Sequence, residues 1–236
     1  MKYKKILFYR TDTGIMEIRL NAPPENIIDR DMLKELKTAV DHVIDQGKCK
    51  VMVFSGAGDN FTYGASRPDC LEHAPAEEMA SNWYWIFKEL IRSAIPTMAV
   101  VRGQCRGWGL ELAAMCNFVF ADTGAQFAMP DISQGIIPLY APLILPWRVG
   151  QGLTDYLTLT GKPISAADAK LTGLVEYLSR PEDLEEKVRA FIENNILPRS
   201  GQDLRYVCKA TRWYANLSFT NNCTKVRYEY LKGLPK

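Results

Sequence analysis

The sequence predicts an α/β fold that ends in a helical part. Short apolar runs of strand length alternate with segments of helical spacing over the first 150 residues, strands thin out beyond that point, and the C-terminal third reads as helices divided by Pro or Gly. A chain of 236 residues with 47% hydrophobic content is long enough for one sizeable core or two small ones.

The elements follow in order. KILFYR (5–10) and GIMEIRL (14–20) flank a TDTG turn as hairpin strands do. DRDMLKELKTAVDHVIDQG (29–47) carries apolar residues at helical spacing and stops at Gly47. KVMVFSG (50–56) is a buried strand, and the loop GAGDNFTYGAS (56–66) leads to an aromatic-rich helix near 77–93. Strand TMAVVRG (97–103), a glycine turn, a helix over 108–116 and strand FVFA (118–121) complete the alternation. PEDLEEKVRAFIENNI, GQDLRYVCKATRWYANL and NNCTKVRYEYL are the later helices, with no linker or internal repeat between them.

Composition narrows the function classes. Lys and Arg number 29 against 27 Asp and Glu, a net +2 without long blocks of one sign, which points away from nucleic acid and membrane surfaces and toward a small organic partner. Cys49, Cys70, Cys105, Cys116, Cys208 and Cys223 form no CxxC pair or metal spacing and mostly adjoin apolar residues, as expected of buried thiols in a reducing, cytoplasmic compartment. The apolar run before Arg10 is short, and no stretch approaches the roughly 18 residues of a membrane span, so neither export nor insertion is expected.

Two carboxylates stand out. Glu111 lies about one turn into the helix of RGQCRGWGLELAAMC, and Asp131 follows 20 positions later in MPDISQGIIP, again among apolar residues. A carboxylate in such surroundings needs a partner or a task. Each has a structural reading, as a residue near a helix N-terminus or as a cap, and a chemical one, as half of an acid/base pair. His42, on a surface helix, and His73, in a polar loop, offer no convincing base or ligand. The turn at 103–109 has neither GxGxxG spacing nor a phosphate-loop Lys, so dinucleotide and phosphate-loop folds are set aside.

The region RGQCRGWGLELAAMCNFVFADTGAQFAMPDISQGIIP resembles the signature of the crotonase (enoyl-CoA hydratase/isomerase) superfamily. NAPPENIIDRDMLKELKTAV, VMVFSGAGDNFTYGAS and LTGKPISAADAKLTGLVEYL extend the likeness over nearly the whole chain. Within the superfamily FTYGAS, VRGQCRGWGLELA and LYAPLILPWRVG look most like the cyclohexa-1,5-diene-1-carbonyl-CoA hydratases. The resemblance implies a spiral of ββα units over 1–195, a helical oligomerisation segment over 196–236, and assembly as a homotrimer or homohexamer. It implies an acyl-CoA substrate, with no cofactor beyond the coenzyme A carrier and no metal.

By the same resemblance, the backbone N–H groups of Ala65 and Trp108 form an oxyanion hole for an enolate. Glu111 acts as base or water holder, and Asp131 takes the place of the second carboxylate, usually Glu in hydratases. Substrate contacts fall at Glu25, Ile27, Ser66, Arg67, Gly107 and Leu139; Leu139 stands where dienoyl isomerases and dehalogenases carry a further Asp. The Trp108 indole is read either as a pocket wall facing a flat ring or as a core side chain. The activity implied is hydration of an α,β-unsaturated acyl-CoA, with a cyclic dienoyl group foremost. An ordinary enoyl-CoA hydratase, an isomerase and a non-catalytic acyl-CoA binder are the alternatives.

Overall fold

The computed structural model describes residues 3–234, with residues 213–221 described as helical backbone alone. β1 (Ile6–Arg10) and β2 (Ile15–Leu20) form the expected hairpin, Phe8 opposite Ile18. α1 (Arg30–Gln46) starts where the Asp29 carboxylate accepts from Met32 N–H at 2.9 Å. Met32, Leu33, Leu36, Ala39, Val40 and Val43 give it one buried stripe.

β3 (Val51–Gly56), α2 (Arg67–Leu71) and α3 (His73–Ser93) come next. β4 (Thr97–Val101), β5 (Gln104–Arg106) and α4 (Trp108–Met115) make one ββα turn of a spiral. β6 (Phe118–Asp122), β7 (Gln126–Ala128), a 3₁₀ turn (Pro130–Gln134) and α5 (Ala141–Thr160) make the following one. β8 (Ile164–Ser165), α6 (Ala166–Leu171), β9 (Tyr177–Ser179), α7 (Leu184–Phe191), α8 (Gly201–Thr211) and α9 (Trp213–Lys232) close the chain.

Among the described residues the strands form two sheets, in the orders β1-β2-β3-β4-β6-β9 and β5-β7-β8. The first is parallel from β2 onward, and one ladder runs Ile18–Phe54–Ala99–Val119 across successive turns. A second ladder, Thr62–Cys105–Phe127–Ile164, runs through the other layer. Each turn thus lays one segment in each sheet before its helix.

The central strands β3 and β4 of the first sheet are buried on both faces, which is why VMVF and TMAVV are continuous rather than alternating runs. Met52, Phe54 and Ala99 face the main core with α1, α3 and α4, whereas Val51, Val53, Met98 and Val100 pack beneath Leu184, Val188 and Ile192. All six cysteines are free and buried. No helix among the described residues is long and apolar enough to cross a membrane.

The sequence reading needs four corrections. The aromatic helix begins at His73, so this histidine opens a helix instead of sitting in a loop, and the five-residue α2 precedes it. The glycine turn contains a strand, β5, too short for its alternation to show. The helix expected over 181–196 is α7 continued by a π-helical turn, Ile192–Ile196. Further on, the chain breaks at Arg212, while NNCTKVRYEYL merely continues α9. The aromatic side chains of 213–221, part of the segment expected to assemble subunits, lie outside the described residues. α9 is fastened to the core at its far end, where the Tyr230 hydroxyl donates to the Cys70 carbonyl at 2.6 Å.

α4 lies close against the second ladder at Gly109, where a Cβ would stand 2.2 Å from Thr62 Cγ2. Thr62 cannot yield easily, because its hydroxyl donates to Asn26 C=O at 2.7 Å and accepts from Gly64 N–H at 3.0 Å. We expect Gly109→Ala to lower unfolding free energy by about 1–3 kcal/mol in urea denaturation, the range for overpacking a filled core.

Candidate active site

α4 is buried on every side, which explains why its sequence lacks an amphipathic period. Its first turn carries Glu111, 0% exposed. The carboxylate is heavily bonded: Oε1 accepts from Tyr140 N–H at 2.7 Å and Ala141 N–H at 2.8 Å, and Oε2 accepts from the Trp83 indole at 2.8 Å. Glu111 therefore caps the free N-terminus of α5, where the helix dipole favours a negative charge. Burial pushes its pKa up, and the donors from Trp83, Tyr140, Ala141 and Leu139 pull against that shift.

Asp131 occupies the 3₁₀ turn after β7 and is 4% exposed. Its Oδ2 has no hydrogen-bond partner among the described residues, so the capping reading does not account for it. Burial, with the nearby Glu111 charge second, raises its pKa from 3.8 to about 7. The carboxylate lies against the backbone at Gly107, where a Cβ would be 3.1 Å from Oδ2. Gly107 caps α4 at φ 52°, ψ −122°, a conformation that disfavours L side chains.

The two candidate oxyanion donors stand on adjoining segments, since a Cβ at Gly64 would meet Arg106 C=O at 3.0 Å and Gly107 Cα at 3.5 Å. Ala65 bridges Ile28 in parallel register: Ile28 N–H donates to Gly64 C=O and Ser66 N–H to Ile28 C=O. That pattern turns the Ala65 N–H away from the ladder. At the start of α4, Gly107 N–H is spent on Ala128 C=O and Glu111 N–H on Gly107 C=O, leaving Trp108 N–H among the first-turn donors a helix cannot satisfy.

The Trp108 side chain is 1% exposed and belongs to the core. It stacks on Trp83 with ring centroids 4.9 Å apart and planes 12° from parallel, so one indole face is already covered. Trp108 fits between two glycines because Gly107 supplies the turn, Gly109 the clearance from Thr62, and Trp83 the surface for the intervening ring.

The remaining candidates gather around this centre. Glu25 is exposed and its carbonyl accepts from Tyr63 N–H; half-buried Ile27 precedes the Ile28 bridge to Ala65. Ser66 caps α2, and the exposed Arg67 donates to Gln134 C=O at 3.1 Å, linking the Ala65 loop to the Asp131 turn. Leu139 is buried beside Glu111 through its backbone. His42 packs against Phe8 and Gln46, away from these groups. Sequence reading missed Trp83 and Tyr140. Trp83 continues the buried stripe Ala76, Met79, Ala80, Phe87 and Leu90, which in sequence marks only a core face.

The model of the enoyl-CoA hydratase/isomerase family matches residues 10–221, and the chain belongs to that family. It is 30% identical over 203 residues to cyclohexa-1,5-dienecarbonyl-CoA hydratase of Thauera aromatica, covering 85% of this chain and 77% of that one. It is also 30% identical over 194 residues to crotonyl-CoA hydratase of Syntrophomonas wolfei, covering 80% and 74%. Among solved structures, an enoyl-CoA hydratase/isomerase from Xanthobacter autotrophicus Py2 superposes with TM-score 0.88 at 23% identity, over 98% of this chain and 87% of that one. The fold is that of the crotonase superfamily, as the sequence resemblance implied.

The raised pKa of Asp131 gives a stability signature. Between about pH 4 and 7 the unfolded chain has released this proton while the folded protein still holds it, so stability falls as pH rises through that window and levels off above it. We expect Asp131→Asn to flatten the decline, gaining on wild type between pH 4.5 and 7.5 by an amount on the order of a few kcal/mol in denaturant midpoints.

Proposed function

We propose that the protein adds water to the double bond of an α,β-unsaturated acyl-CoA, and that the acyl group is a cyclic dienoyl ring. One observation carries the hydration reading: two buried carboxylates, one bonded through both oxygens and one with an oxygen unpartnered among the described residues and a near-neutral pKa, lie beside two adjoining backbone N–H groups. The thioester oxygen takes the N–H groups of Ala65 and Trp108, which stabilise negative charge that appears only as the reaction proceeds.

In the addition, the water oxygen bonds to the β-carbon, its proton passes to a carboxylate, and the π electrons move onto the thioester oxygen. The enolate collapses as the other carboxyl donates a proton, at the α-carbon of a simple enoyl group or at the far end of a conjugated diene. Glu111, held as an acceptor, orients the water; Asp131 exchanges the proton near neutral pH. Its arm is one methylene shorter than that of the usual Glu, a displacement that suits protonation away from the α-carbon.

The Thauera relative supports the cyclic substrate. Coenzyme A lies along Glu25, Ile27, Ser66 and Arg67, and residues 196–236 assemble the chain into trimers or hexamers, which light scattering would show as three or six chain masses.

The deciding experiment incubates the protein with linear and cyclic enoyl-CoA thioesters in oxygen-labelled water and weighs the products by mass spectrometry. Label in a cyclic product at a rate above that for crotonyl-CoA is the expected result. A shifted double bond without label would mean an isomerase, and binding without turnover a carrier. We further expect Asp131→Asn to abolish hydration and Asp131→Glu to keep part of it. Glu111→Gln should lower kcat by a factor on the order of 10² to 10⁴, with thioester affinity little changed.

A further inference from the structure

Two buried side-chain atoms of this site lack a hydrogen-bond partner among the described residues: Trp108 Nε1, a donor, and Asp131 Oδ2, an acceptor. The Asp131 carboxylate lies against Gly107, the residue before Trp108, and the Trp108 ring lies on Trp83, whose N–H bonds Glu111. Orphaned buried indole N–H groups are uncommon, and a bound group or an ordered water is the usual reason. The neighbouring Trp83 has no such need, since its own N–H is spent on Glu111.

An indole N–H can only donate, so its partner must bring an acceptor. An enoyl thioester carries one oxygen near the reacting carbons, the carbonyl, which the hydration reading assigns to the backbone N–H groups of Ala65 and Trp108. The other acceptor that enters the reaction is water. A water bound there would in turn need acceptors for its protons. Asp131 Oδ2 has no partner among the described residues and can accept one of those protons, whereas Glu111 is already held by the donors of Trp83, Tyr140, Ala141 and Leu139.

We propose that the indole N–H of Trp108 binds the oxygen of the attacking water and of the hydroxyl group it becomes, making Trp108 a catalytic residue through its side chain as well as its backbone. This rests on the hydration reading. The donor holds a lone pair of the water oxygen while one O–H bond breaks toward a carboxylate and the other lone pair forms the C–O bond; it takes no part in proton transfer. In the product it donates to the new hydroxyl oxygen, so the side chain recognises hydroxyacyl over unsaturated thioesters.

The test uses Trp108→Phe, which keeps the backbone N–H and a ring on Trp83 but removes the indole donor. As a second variant, 3-benzothienylalanine placed at 108 preserves the bicyclic outline without the N–H and covers the case in which the smaller ring upsets folding. On the substrate that wild type hydrates, kcat should fall about 10- to 100-fold, as expected for loss of one hydrogen bond to a reacting atom. Affinity for the hydroxyacyl-CoA product should fall about five- to tenfold, while that for benzoyl-CoA, which has no hydroxyl, stays within about twofold. Wild-type kcat in either folded variant overturns the proposal alone, as does an equal loss of affinity for both ligands, which marks a packing role. A wild-type protein that hydrates no member of the panel overturns this proposal together with the hydration reading.

Discussion

Glu111 joins three helices through one carboxylate. It stands in α4, takes the indole N–H of Trp83 from α3, and caps α5 through Tyr140 and Ala141. Hydrogen bonds to a charged group are worth about 1.5–3 kcal/mol each, and a buried carboxylate deprived of them costs several more. The group that chemistry would use is therefore also the group that holds the centre together. Its saturation limits what it can do: a carboxylate held through both oxygens by Trp83, Tyr140, Ala141 and Leu139 is fixed in direction and suited to orienting a ligand rather than moving with one.

The second carboxylate has the opposite character. Asp131 is buried to a similar degree, yet one oxygen has no partner among the described residues, and the charge of Glu111 adds to the penalty for ionising it. Two acids in one site are thereby driven apart in role, one kept bonded and one kept near the midpoint of its titration at neutral pH. The cost of this arrangement is borne by the rest of the molecule, in the two-sided burial of β3 and β4 and in the fully buried α4, apolar but for Glu111.

The spiral explains how distant segments reach one another. Each turn contributes a residue to the ladder Thr62–Cys105–Phe127–Ile164, so the ends of three successive turns come into register beside the second sheet. Ala65, Gly107 and Asp131 each follow shortly after one of those rungs. Gly109 lets the layers close without displacing Thr62, whose hydroxyl anchors the loop that carries Ala65.

By itself the sequence determined the α/β alternation, the hairpin, α1, and the presence of two carboxylates in apolar surroundings, because periodicity, caps and the cost of burying charge are local properties. The likeness of its motifs to one superfamily indicated the spiral and two candidate N–H donors. Tertiary structure decided the rest. β5 and β8 are too short to show a period, and they exist because neighbouring turns offer paired edges. Trp83 reads in sequence as one more apolar residue on a buried stripe; its bond to Glu111 arises only when α3 is laid across α4. The Trp108 indole is open to two readings in sequence, and packing resolves them into one: the ring lies in the core against Trp83, and its N–H has no partner among the described residues. Which donors find partners depends on distances between segments far apart in the chain, and no local pattern of residues encodes those distances.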